Sequence, residues 1–202
     1  AVYGEATTVP TPEEYVPRPA SPYAISKLSC EHYIRFYGEH HNISYVVLRY
    51  SNVYGPRQIP HGEAGVVAIF AEALLKGQPP TLYHFPGAPE GMTRDYCFVR
   101  DVASANLLAA QYDGRGIFNI ATGTGTTTLE LYTAIVRTLR NKRVAISPAL
   151  DNPKRESARE GDIKVSALNP ALAQRELGFH AAFSLAEGLV ETVDWYLKRR
   201  LR

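Results

Sequence analysis

Cysteine and long apolar runs are scarce in this sequence. Its two cysteines, Cys30 and Cys97, stand far apart with no CxxC spacing. That excludes a disulfide framework or a thiolate metal cluster as the organising element of the fold, and two reduced thiols in a cytoplasmic protein are expected. The histidines, His32, His40, His41, His61, His84 and His180, show neither HxH nor HxxxH spacing, so no metal site is expected. No apolar run approaches the ~20 residues of a membrane span. The most apolar stretch, Val66 to Leu75, has the length of a buried helix, and no secretory signal is visible. A surplus of charge is missing too. Against 22 basic residues stand 20 acidic ones, and the net +2 is too small to make nucleic acid or an anionic membrane the main partner. What is present, 45% hydrophobic and 21% charged residues in a chain of 202, suits a globular protein with a sizeable core.

Proline and glycine punctuate the chain. Residues 5–22 carry Pro10, Pro12, Pro17, Pro19 and Pro22 and read as an irregular loop. A helix is predicted from Tyr23 to Tyr37, stopped at Gly38. ISYVVLRY, Ile43 to Tyr50, has the continuous β-branched character of a strand covered on both faces. Asn52 to Pro60 reads as a loop, Gly65 to Lys76 as a helix closed by Gly77, and Thr81 to Phe85 as a short strand. A Gly/Pro-rich loop (86–93) and a strand, Tyr96 to Val99, follow, and Asp101 is placed to cap a helix reaching Tyr112. Gly116 to Ala121 reads as a strand, Thr126 to Thr128 as the start of a helix reaching Arg140, Arg143 to Ser147 as a strand, and Asp151 to Asp162 as a loop. Asn169-Pro170 looks like a cap followed by Pro at the first helical position, with Gly178 as the stop, and Ser184 with Glu187 has capping-box spacing. Strands alternating with helices indicate an α/β fold with parallel pairing, though the strands are too few and scattered for one complete doubly wound sheet. AVYG reads as the end of a strand entering a loop, so the chain is expected to begin inside a domain.

Tyr23 and Lys27 lie four residues apart on the first predicted helix and therefore on one face. With 13 tyrosines in the chain, chance supplies roughly 0.4 such Tyr–Lys spacings, so a solvated helix face competes evenly with a catalytic pair. The chemistry available is specific: an ammonium beside a phenol favours the phenolate, and a phenolate can take a proton from an alcohol while hydride leaves the same carbon. NIATGTGTTTLEL (119–131) offers a second candidate, a strand followed by Gly123, Gly125 and a helix, like a dinucleotide loop. Thr128 stands at the third glycine position and the next acid, Asp151, comes late, so a structural turn is the better account. Arg94 can pair with Asp95 or Asp101, and Arg159 sits among Lys154, Arg155, Glu156 and Glu160, a run that reads as a solvated face.

Taken together and in order, AVYGE, PYAISKLSCE, VVLRYSNVYGPRQ, GEAGVVAIF, TRDYCFVRDVA, FNIATG, REGDI and LGF resemble an extended short-chain dehydrogenase/reductase of the NAD-dependent sugar-nucleotide epimerase group, nearest its UDP-glucose 4-epimerase branch. The resemblance implies the C-terminal part of a Rossmann-type parallel sheet with a smaller α/β substrate domain. Residues 1–56 would be a remnant of the NAD-binding domain with the catalytic helix, 57–97 and 122–202 the nucleotide-sugar domain, and 98–121 a return to the Rossmann core. It implies Tyr23 as the acid/base for the sugar 4-hydroxyl, and Lys27 as its assistant and a ligand of the nicotinamide ribose. Tyr50 and Ser51 would meet the cofactor and Asn52 the substrate. Ala64, Gly65 and Val66 would line the cleft near a diphosphate, Thr81 to Tyr83 would offer backbone groups to uracil, Arg94 and Arg159 would clamp the diphosphate, and Asp162 would accept from the ribose. Ser166 stands where a bulky family residue narrows the sugar pocket, which would leave room for N-acetylated sugars. The implied cofactor is NAD, the implied substrate a UDP-sugar, and the implied partner a second copy bound through the Tyr23 helix. A dehydratase, a decarboxylase and a binding-only relative are the alternatives. The family's glycine-rich loop and catalytic Ser/Thr do not occur in this sequence and are expected before Ala1, so residues 1–202 alone are expected to be inactive and to bind NAD poorly.

Overall fold

The computed structural model describes residues 1–60 and 65–200. Helix α1 spans Pro22–His40. Ser21 caps it, its Oγ accepting from the Ala24 N–H at 3.1 Å, and Pro22 sits in the first turn, where no N–H is required. Gly38 is not the stop expected of it, because the helix continues through it to His40. Its bare Cα permits close contact instead: a Cβ there would lie 2.3 Å from the Tyr45 ring. The buried residues of α1 are Ala24, Glu31 and Gly38, seven apart, so one narrow stripe lies on strand β1, Tyr45–Tyr50.

Strand β1 pairs in parallel with a strand at Arg115–Ile120, from Tyr45 opposite Arg115 to Tyr50 opposite Ile120. Helices at Val99–Gln111 and Ala171–Leu177 pack on this pair and enclose Ala105, Phe118, Ile120, Ala173 and Phe179. Strand β2 (Asn52–Tyr54) falls in the stretch expected to be loop, and pairs in parallel with Tyr96–Phe98. A larger core gathers α2 (Val66–Leu75) with helices at Thr128–Asn141 and Leu185–Arg200. Tyr54 and Phe98 join Phe70, Leu131, Tyr132, Ile135, Leu139 and Leu189 in that core. Two small sheets complete the structure. In one, β3 (Thr81–His84) runs parallel to Lys154–Ser157. In the other, β4 (Thr93–Arg94) lies between Thr126–Thr127 and Val165–Ser166. In chain order the later strands are β5 (Tyr96–Phe98), β6 (Arg115–Ile120), β7 (Thr126–Thr127), β8 (Lys154–Ser157) and β9 (Val165–Ser166), and the later helices α3 (Val99–Gln111), α4 (Thr128–Asn141), α5 (Ala171–Leu177) and α6 (Leu185–Arg200). The parallel pairing and the scattered strands agree with the sequence.

Four local expectations need correction. Asp101 does not cap α3, whose cap position is Phe98. Its buried carboxylate accepts from the Ala182 and Phe183 N–H groups at 2.9 and 3.3 Å and ties the segment before α6 to α3. Arg143 to Ser147 is no strand: Arg143 adopts φ 61, the Val144 N–H returns to the Leu139 carbonyl at 3.0 Å, and Ile146 packs into the larger core. The expected loop Asp151 to Asp162 contains β8, four exposed residues recruited by the edge of β3. Asn169 sits one residue before the cap position, which Pro170 occupies, yet its Oδ1 still accepts from the Ala171 N–H at 3.0 Å. Gly178 (φ 67) ends α5, and the Ser184–Glu187 box closes with reciprocal bonds of 2.9 and 3.3 Å, both as expected.

Candidate active site

Capping by Ser21 places Tyr23 in the first turn of α1 and Lys27 one turn later. Both are exposed, Tyr23 by 58%, and the Lys27 Nζ stands 5.4 Å from the centre of the Tyr23 ring. The pair shares one face as its spacing requires, and among the described residues neither the Tyr23 hydroxyl nor the Lys27 ammonium is held by a hydrogen bond or an ion pair.

The chain leaving β1 is fixed by Asp95, which sequence reasoning considered only as a partner for Arg94. Asp95 is fully buried. Its carboxylate accepts from the Thr122 N–H (3.0 Å), the Thr122 hydroxyl (2.8 Å), the Gly123 N–H (2.9 Å) and the Ser51 hydroxyl (3.4 Å). Its carbonyl accepts from the Asn52 N–H at 2.8 Å. Burial pushes the Asp95 carboxyl above its usual range, against the opposing pull of the Thr122 and Gly123 bonds. The backbone donors at the start of the GTG turn are thus occupied by the protein's own carboxylate, which supports the structural account of that stretch. Ser51 is committed to Asp95, the Tyr50 hydroxyl donates to Asn106 at 3.0 Å, and the Asn52 side chain remains exposed.

Arg94 sits on the central strand of the small sheet, with Thr126 opposite on one side and Ser166 on the other. Neither Asp95 nor Asp101 pairs with it. Its guanidinium donates to the Thr93 carbonyl at 2.9 Å and the Lys164 carbonyl at 3.4 Å, and no carboxylate among the described residues lies within ion-pair distance. Burial pushes the Arg94 guanidinium below its usual pKa, and the nearby Tyr96 and Asp162 oppose that shift only in part. Arginine remains charged at neutral pH regardless, so this position favours an arriving anion.

A second cluster lies at β3. The Arg159 Nη2 donates to the Tyr83 hydroxyl at 3.0 Å, with its guanidinium carbon 4.6 Å from the ring centre, and the Arg159 N–H donates to Asp162 Oδ2 at 2.8 Å. The Pro80 and His84 carbonyls accept from β8, so the strand's alternation turns the backbone groups of Thr81 and Tyr83 to the opposite edge. Gly65 is the cap residue of α2, and among the described residues no side chain caps the first N–H groups, which begin at Val66. The Gln58 amide lies against it, where a Cβ on Gly65 would meet Nε2 at 2.6 Å. Ala64 lies outside the described residues.

Two groups of expected site residues are therefore assembled: Arg94 with Ser166, and Tyr83 with Arg159 and Asp162. Ser51 and Asn52 join the first group through Asp95, whereas the Tyr50 hydroxyl is turned to Asn106. Among the described residues, no hydrogen bond or ion pair links Tyr23 or Lys27 to either group. Asp95, Gln58 and Asn106 were missed as positioning groups; Asp95 and Gln58 lie within the motifs TRDY and GPRQ, whereas Asn106 is far in sequence from the Tyr50 it holds and carried no signal.

Comparison with known proteins adds the family. Residues 1–121 match the NAD dependent epimerase/dehydratase family. The UDP-glucose 4-epimerase of Mycolicibacterium smegmatis is 40% identical over 197 residues, 97% of this chain and 59% of that protein. A crystal structure of UDP-glucose 4-epimerase from Thermotoga maritima with UDP-glucose superposes with a TM-score of 0.87 at 41% identity, covering 99% of this chain and 61% of that one. A Thermus thermophilus UDP-glucose 4-epimerase complexed with NAD gives 0.83 at 44% identity, over 98% and 61%. The chain thus spans about three fifths of the length of each. With its parallel α/β core, its Tyr–Lys helix and a family match over more than half its length, this chain belongs to the NAD-dependent epimerase/dehydratase family.

Proposed function

We propose that the full-length protein epimerises a UDP-hexose at C4 through a 4-keto intermediate, with NAD as cofactor. The observation that carries this is a division of labour: among the described residues the Tyr23 hydroxyl and the Lys27 ammonium, on one helix face, make no hydrogen bond or ion pair, while the Arg94 guanidinium is held by carbonyls and not by a carboxylate. The residues present fit the nicotinamide end of NAD, because the Tyr23 hydroxyl and the Lys27 ammonium are unengaged and can hold ribose hydroxyls. Bound NAD supplies a reversible hydride acceptor for the sugar C4. Tyr23 takes the proton of the 4-hydroxyl and returns it, with Lys27 stabilising the phenolate. Arg94 and Arg159 hold the diphosphate through their planar forks, as uncapped N–H groups at Val66 can also do. Tyr83, Thr81 and Asp162 receive the uridine, and Asn52, Gly65 and Val66 line the cleft. Anchored there, the 4-keto sugar turns about its link to phosphate and presents its other face.

The small Ser166 beside Arg94 leaves space for an N-acetyl group. Turnover of UDP-galactose against UDP-N-acetylgalactosamine should shift toward the smaller sugar in Ser166→Tyr, and an unchanged ratio removes this point. The protein works as a cytoplasmic homodimer, supported by its unpaired cysteines and by exposed Tyr33, Phe36 and Tyr37 on α1. Residues 1–56 and 98–121 serve the cofactor side and the remainder the nucleotide sugar. In the full-length protein, Tyr23→Phe should lower turnover at least ~10²-fold and keep UDP-sugar affinity. Retained turnover would remove Tyr23 from its role, and a wild-type protein that binds UDP-sugars without turnover would be a binding-only relative.

A further inference from the structure

Glu31 is the one charged residue on the buried stripe of α1. Its carboxylate faces Arg49 of β1 in a two-bond fork, Nε to Oε1 at 3.0 Å and Nη2 to Oε2 at 2.6 Å, and the side chains are only 10% and 8% exposed. Arg49 is held on its far side as well. Its Nη1 donates to the Tyr3 hydroxyl at 2.8 Å, and the guanidinium carbon lies 4.7 Å from the Tyr3 ring centre. The Tyr3 hydroxyl donates to Asn119 Oδ1 on β6 at 2.8 Å, and the Asn119 amide donates to the Thr11 carbonyl at 3.0 Å. Burial alone would lower the Arg49 pKa, but the bonds to Glu31 and Tyr3 outweigh it and raise it. Arg49 is thus braced by Tyr3 and, through it, by Asn119 of β6, and its fork reaches α1 through Glu31.

We propose that Glu31 and Arg49 are a positioning pair that fixes the rotation and height of α1 on β1, and so the place of Tyr23 and Lys27. The inference rests on Tyr23 acting as the acid/base. The other buried residues of α1, Ala24 and Gly38, have almost no side chain with which to lock the helix, and Leu28 adds a partly buried apolar contact against Val2, Tyr3, Ala121 and Leu168. Apolar contact is non-directional, whereas a planar fork with two bonds fixes angle and register together. Lys27 stands one turn and Tyr23 two turns before Glu31, within about 80° of it around the axis at 3.6 residues per turn. A rotation of about 10° moves an atom ~6 Å from the axis by about 1 Å, and a misplacement of ~1 Å costs up to ~10²-fold in rate.

The test uses the full-length protein and the double variant Glu31→Leu/Arg49→Met. This removes both charges together, a change that commonly leaves stability intact. The expected result is a Tm near that of the wild type, KM within about twofold and kcat lower by ~10-fold or more. Glu31→Gln, which keeps the shape and breaks the fork, should show the same split between kcat and KM when assayed below its Tm, and it decides the matter if the double variant does not fold. Ile135→Val, remote in the core of α4, controls for lost stability and should lower Tm with kcat unchanged. Full kcat in either folded pair variant overturns the inference, as does a kcat loss that only tracks Tm. A wild type without 4-epimerase turnover instead overturns the acid/base assignment on which the inference rests, and removes both.

Discussion

Arg94 is the residue on which the proposed diphosphate site turns. Among the described residues its guanidinium bonds only to carbonyl oxygens, so under that proposal no bonded carboxylate must be displaced when a diphosphate arrives. Lysine at this position would keep the charge and lose the fork. Arg94→Lys should therefore weaken UDP-sugar binding by roughly tenfold, about 1.4 kcal/mol, with little change in Tm; calorimetric titration beside a melting curve checks both. Cys97 illustrates the opposite condition. It is fully buried, and burial, assisted by Asp101 and Asp95, pushes its thiol up to about 12. At pH 8 only about one part in 10⁴ would be thiolate. In the native protein Cys97 should stay unlabelled by a disulfide-exchange reagent at pH 8 and react once denaturant is added; native labelling at Cys97 would contradict the packing of β5.

Among the elements, most helix starts were legible in the sequence because a cap is a local device; α3, capped at Phe98 and not at Asp101, is the exception. Thr127 and Glu130 form a complete capping box on α4, with bonds of 2.7 and 3.2 Å. Thr127→Ala should cost about 1 kcal/mol, measured as a shift in denaturant midpoint with unchanged m-value. The elements that sequence reasoning misplaced depend on distant partners. Lys154–Ser157 has no apolar alternation and becomes a strand only because the edge of β3 is available. Val144 and Ile146 have strand-forming side chains but no edge to join, and the reversal at Arg143 turns them onto the core. Gly38 looked like punctuation because glycine ends helices often, whereas here the Tyr45 ring requires its bare surface. The candidate site divides in the same way. Its residue types were legible as motifs in order, but which hydroxyls were free and which were held by Asp95 or Asn106 was visible only in three dimensions.

On the scale of the molecule, two cores meet where β2 and β5 pair, and α1 lies outside them with Tyr33, Phe36 and Tyr37 uncovered. If that face joins two copies, Phe36→Glu should shift the sedimentation coefficient of the full-length protein to that of a monomer, and an unchanged value would place the interface elsewhere. Asp95 draws the parts together: the exit of β1, the turn after β6 and the strand carrying Arg94 all end on this one residue. Its loss strands buried donors at about 1–3 kcal/mol each, while the side chain of its neighbour Arg94 donates, among the described residues, to two carbonyls only. Adjacent codons therefore answer to different selection. In a library of all single substitutions scored once for abundance and once for growth on turnover, position 95 should fail in both screens. Position 94 should fail only in the second.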